Sequence, residues 1–266
     1  MKPHFLPIAI KNSGIALEDI LPHVVKAPAA LRHYAHVCLL YRRLAVGTLL
    51  VSSDPQGFYS YLFKSSRAFL HFLQTAPAEE KLTSRAEPFF DAVACRDEEG
   101  ARAIVSWCPS APDPAREYEE DYFSVRLLMA CYTGDVPRPV WQGDLERFAL
   151  LTAENPDPHL DVCKGLLEGN QSLFDEGLKA LCAQKLEATA KALRAETLNP
   201  DEAATLAHVS TEILATVELA ERVGLRVASD YPLAPGVARR FHRRAFPAAE
   251  SWQVPEPFRS LPKPRP

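Results

Sequence analysis

The stretch Asp54–Leu73, DPQGFYSYLFKSSRAFLHFL, decides the fold. Asp54 and Pro55 together mark a helix start. An aspartate accepts a hydrogen bond from the free amides of a first turn, and a proline next to it gives up only an N–H that has no intrahelical partner. Behind them Phe58, Tyr61, Leu62, Ser65, Phe69, Phe72 and Leu73 recur at helical intervals and line one face of a five-turn helix. The same pair returns at Asp113-Pro114, Asp157-Pro158 and Asn199-Pro200, so these prolines read as helix starts rather than breakers.

Outward from that segment the pattern repeats. After Pro200 come Leu206, Val209, Ile213, Val217, Ala220 and Val223, and Gly224 offers a left-handed stop. Glu202, three residues after Asn199, resembles a capping box. Ser172 and Asp175 open another run through Leu178, Leu181, Cys182, Leu186 and Leu193. Tyr118, Tyr122, Val125, Leu128 and Tyr132 form a face after Pro114 that Gly134 ends, and an earlier helix runs from Pro28 through Tyr34, Cys38 and Leu49. Shorter helices are expected near 86–107, 141–152, 158–168 and 232–246. Leu6–Ile10 and Leu225–Ala228 are the only extended candidates, and two isolated short strands do not make a sheet.

The reading is therefore all-α, a bundle of irregular antiparallel helical hairpins. The four Asp/Asn-Pro starts are separated by 59, 44 and 42 residues, which gives no strict repeat. One helical domain is expected over residues 1–246. A proline-rich run over 247–266 is expected to be extended or polyproline-like.

Hydrophobic residues at 47% and charged residues at 24% are ordinary globular composition. A net charge of −4 is not the strongly basic balance of a nucleic-acid binder. The charge is uneven: from Gly224 onward eight Lys/Arg stand against three acids, about +5, which leaves about −9 on residues 1–223. The apolar stretch Val37–Val51 is split by Arg42 and Arg43, so no membrane span is expected. Met1–Ile10 has no secretory pattern. Six scattered cysteines then read as reduced, mostly buried thiols of a cytoplasmic protein.

No H-E-x-x-H, paired C-x-x-C, Walker loop or G-x-S-x-G occurs, so no catalytic residue, metal or cofactor is expected. His33 and His36 lie one turn apart without the further ligands a zinc site needs. The densest acidic cluster is Glu117, Glu119, Glu120 and Asp121, of which Glu117, Glu120 and Asp121 share a polar stripe with Ser124 on the helix after Pro114. That stripe reads as a solvated face, as docking for a basic partner, or as an acid–base pair. Trp141 beside Asp144 and Glu146 reads as an aromatic anchor in an acidic rim, or as a tryptophan packing a helix start. Glu117, Glu120, Asp121, Trp141, Asp144 and Glu146 are the candidate partner-binding residues. An enzyme with a carboxylate/histidine site between helices, or a helical adaptor, remains open beside a binding protein.

One stretch adds to this. Gly143-Asp144 with Phe148, Leu166-Leu167-Glu168-Gly169-Asn170, Phe174-Asp175-Glu176-Gly177-Leu178 with Leu181, Leu219-Ala220, Gly224-Leu225, Asp230-Tyr231-Pro232 and Pro235 resemble the immunity protein 49 family of polymorphic toxin systems. The similarity runs from about Tyr118 to Pro235. It implies an all-α cytoplasmic bacterial protein that binds and neutralises a cognate toxin, and no catalytic residue comes with it. Many toxin domains that attack nucleic acid are basic, and an acidic face would steer them.

Overall fold

The computed structural model describes residues 5–26, 29–239 and 245–255. Among them the chain forms eleven α-helices: α1 Leu6–Lys26, α2 Leu31–Ser52, α3 Pro55–Thr75, α4 Glu87–Ala94, α5 Glu98–Trp107, α6 Glu119–Thr133, α7 Arg138–Leu151, α8 Pro158–Glu168, α9 Gln171–Arg194, α10 Pro200–Ala204 and α11 Thr211–Arg222. No strand occurs among the described residues; only an isolated bridge joins Tyr231 to Ala234.

Three of the four Asp/Asn-Pro pairs start helices by the expected chemistry. The side chain of Asp54 accepts from the Gln56 amide at 3.0 Å, Asp157 from His159 at 2.9 Å and Asn199 from Asp201 at 2.9 Å. The fourth does not. Asp113 accepts from the Ala115 amide at 3.0 Å, but the chain only turns there, and α6 begins at Glu119 with Tyr118 as its exposed cap. Ser172 is likewise inside α9, whose cap is Asn170.

Leu6–Ile10, read as extended, is the first part of α1. Pro7 sits in the opening turn, where a missing N–H is harmless. The expected helix near 86–107 is two helices, α4 and α5, broken at Arg96 with its φ of 58°. The 232–246 expectation yields a 3-10 turn at Gly236–Ala238, and residues 240–244 lie outside the described residues. Pro28, the expected start of α2, also lies outside them.

The centre of the body is α2, which packs on α1 and α3. By length and composition α2 is apolar enough to cross a membrane, but here its apolar residues Tyr34, Val37, Cys38, Leu40, Tyr41, Leu44, Ala45 and Val46 are buried by neighbouring helices. Its Arg43 is buried too and bonds Glu202 at 2.6 Å. α4 and α5 pack on α3, α11 lies across α4, and the α8–α9 pair joins through α6.

The run from Pro247 is not simply extended. Residues Ala249–Gln253 make a 3-10 turn, and Trp252 is 2% exposed beside Tyr34 and His71. Phe246 stacks on Phe63 at 4.5 Å. Residues 256–266 lie outside the described residues.

Candidate partner-binding surface

The six candidate residues do not form one patch. Glu117 is not on the α6 stripe at all: it precedes the helix and is 9% exposed. Its two carboxylate oxygens accept from the amides of Asp113 and Ser84, each at 2.9 Å, which pins the turn before α6 to the 3-10 turn Thr83–Arg85. This is an anchoring role.

Glu120 and Asp121 do lie together at the start of α6, with Asp121 exposed. The Asp121 carboxyl is held above its usual range, first by partial burial and then by Glu120 and Asp157, against the opposing charges of Arg85 and His159. Neighbouring Glu119 accepts from Arg147 of α7 at 3.0 Å, joining the two helices.

On α7, Trp141 is half-buried and packs against the core with the Arg138 guanidinium 5.7 Å from its ring centre. Asp144 is half-buried one turn further on; burial raises its pKa while Arg126 opposes. Glu146 is exposed on another face of α7, alongside Arg147. Of the six, Glu120 and Asp121 adjoin on α6, Trp141, Asp144 and Glu146 lie on α7, and Glu117 lies in neither helix.

A second cluster was missed. His159 of α8 sits between two carboxylates, its Nδ1 at 2.7 Å from Asp157 and its Nε2 at 2.5 Å from Glu212 of α11. Lys185 of α9 bonds the other oxygen of Glu212 at 2.6 Å. Burial alone would push the imidazole pKa down, but Asp157 and Glu212 outweigh it and hold it at about 9. Burial would likewise raise Glu212, yet His159 and Lys185 pull it to about 2.

At neutral pH this is an imidazolium that donates from both nitrogens. It has no lone pair with which to act as a base. The run read as one helix from Pro200 to Val223 is two, α10 and α11, and that break puts Glu212 in a first turn beside His159, which nothing in the sequence tells.

The other buried charges are also engaged with one another. Arg42 donates to Asp91 at 2.8 Å, joining α2 to α4, and Arg67 grips both oxygens of Asp97 at 2.9 and 2.7 Å. Burial pushes the thiols of Cys38, Cys108 and Cys131 up to about 12, so they are protonated and unreactive. Among the described residues no group of three or more His, Cys, Asp or Glu is placed to hold a metal.

The described residues form an all-α body whose buried ion pairs tie its own helices together. The chain belongs to the immunity protein 49 family, whose family model matches residues 27–238. Membership implies a toxin-neutralising immunity role and a cognate toxin as partner, in a family that is typically non-enzymatic. The match takes in α2 to α6 as well as the stretch from Tyr118 that carried the resemblance. No curated protein and no solved structure matches the chain.

Proposed function

We propose that the protein neutralises its cognate toxin by binding it stoichiometrically, and that the start of α6 and the adjoining α7 supply an acidic part of the contact. The observation that carries the reading is the family match over residues 27–238. Glu120, Asp121, Asp144 and Glu146, with Trp141 as the aromatic anchor, are the contact residues; Glu117 is set aside because it is buried. Glu120 and Asp157 beside Asp121, set against Arg85 and His159, support an acidic contribution from this end of α6 toward a basic toxin surface. The site of action is the bacterial cytoplasm, a reading supported by six free thiols.

The test uses the toxic domain encoded beside this chain. Co-production should rescue growth, and the two proteins should co-elute. In the Glu120→Lys, Asp121→Lys, Glu146→Lys variant the association rate should fall at least about tenfold at low salt, with the difference shrinking as salt rises. Unchanged kinetics and full protection would remove this face from the interface. Failure of the wild-type chain to protect would remove neutralisation itself.

A further inference from the structure

The apolar stripe of α9 is covered along only half its length. Leu178, Cys182, Leu186, Thr189 and Leu193 follow at intervals of four, four, three and four residues, the spacing of a seam that accepts another helix. Leu178 and Cys182 are buried and form the floor of a groove of about 690 Å³. The opposite wall is Val227, Ala228, Tyr231 and Pro232.

That wall is fixed in place. The Arg226 amide donates to Gln171 Oε1 at 2.8 Å, and Gln171 Nε2 donates back to the Arg226 carbonyl at 2.9 Å. The Ala228 amide donates to the Tyr231 hydroxyl at 2.7 Å. The stripe continues bare: Leu186, still in the groove, is 42% exposed, and Leu193, beyond it, 44%.

Charge says what fits there. Lys179 on α9 and Arg226 on the facing wall line the groove; both are exposed, and neither is joined to a carboxylate in an ion pair among the described residues. Lys185 on the same helix is tied to Glu212, and from Lys179 to Arg194 the only acid is Glu187. Asp175, at the start of the groove, accepts from Gln171 at 3.0 Å. On a chain of net charge −4 the groove thus carries one unpaired cation on each wall, Lys179 and Arg226.

We propose that this groove receives an amphipathic helix of the toxin partner, with an apolar ridge at three- and four-residue spacing and Asp or Glu on its flanks. The proposal rests on the neutralisation reading above. Fifteen residues separate Leu178 from Leu193, so at about 1.5 Å per residue the seam is roughly 22 Å long and matches about four turns of a partner helix. The basic flanks set its register and favour it over basic helices. The acidic end of α6 then meets a basic part of the same partner, which orients it.

The experiment titrates the full chain into a fluorescein-labelled 18-residue peptide with leucines at three- and four-residue spacing and glutamate flanks, and into its lysine-flanked counterpart. The acidic peptide should bind at least about tenfold tighter. Leu186→Glu with Leu193→Glu should weaken that binding at least about tenfold while leaving circular dichroism and thermal unfolding unchanged, because both residues are exposed. Lys179→Glu with Arg226→Glu should reverse the preference between the peptides. Equal binding of both peptides, or of neither, overturns the proposal. So does a groove that takes the dye anilinonaphthalene sulfonate but no peptide. Protection by wild type together with undiminished protection by Leu186→Glu, Leu193→Glu overturns the groove alone; loss of protection by wild type overturns neutralisation.

Discussion

At the scale of single residues, His159 has the clearest measurable consequence. Its folded pKa of about 9 lies above the ordinary imidazole value of about 6.5. A raised folded pKa means the stabilisation is complete below the unfolded pKa and is lost as pH climbs through the folded one. Stability should therefore decline between about pH 6.5 and pH 9, by an amount on the order of 1–3 kcal/mol. Urea denaturation from pH 6 to 9.5 checks this: a His159→Gln variant should be less stable at pH 6 and show a flatter profile. Glu212, held at about 2, makes its contribution above the unfolded carboxylate range and keeps it until strongly acidic pH. None of this was legible in the sequence, because Asp157-Pro158 reads fully as a helix cap and Glu212 lies 53 residues from the ring it holds. Glu117 failed in the opposite direction. Its acidic neighbours suggested a solvated stripe, but the helix starts two residues after it and its carboxylate turns inward.

Among elements, the α8–α9 pair shows best what the sequence does announce. Gly169 ends α8 in the left-handed conformation at φ 69°, and Asn170 at once caps α9 by accepting from the Leu173 amide at 3.2 Å. The helices then approach so closely that a Cβ on Gly165 would lie 2.5 Å from the Phe174 amide nitrogen, and one on Gly177 2.8 Å from that of Val162. Backbone cannot yield as a flexible side chain can. Gly165→Ala should therefore force the pair apart and lower stability by about 1–3 kcal/mol, against Gly143→Ala, where nothing lies within 4 Å and no such loss is expected. Thermal unfolding of the two variants gives the comparison. Gly177 falls within the Phe174–Leu178 run that carried the family resemblance, and Gly165 directly precedes the Leu166–Asn170 run. Helix starts were legible at Asp54-Pro55, Asp157-Pro158 and Asn199-Pro200, but not at Asp113-Pro114, where the chain turns before α6 begins. α1 was missed because Pro7 within a short apolar run looks like a break until a longer helix is seen to follow it.

Across the whole molecule, the late residues close the early ones. The Tyr41 hydroxyl donates to the Trp252 carbonyl at 2.6 Å, and the Tyr59 hydroxyl to that of Ala238 at 3.0 Å. Trp252→Ala should lower stability by about 3–5 kcal/mol in denaturant titrations, as expected for removing a buried tryptophan. A change under about 1 kcal/mol would mean the segment merely rests on the surface. The proline count concealed this contact: a run with Pro247 and Pro255 reads as a tail, and a single tryptophan between them carries no periodicity. Both Trp252 and α1 lie outside residues 27–238, so the matched family region is completed here by elements at either end of the described chain.

That closure bears on how the protein is made. Contacts spanning 211 and 179 residues cannot form while the chain is still being threaded out of the ribosome. Until residue 252 emerges, the face of α2 and α3 that takes the indole stays open, with Tyr34 and His71 bare to whatever is nearby. A nascent chain released before Trp252 emerges would leave that face uncovered and adhesive.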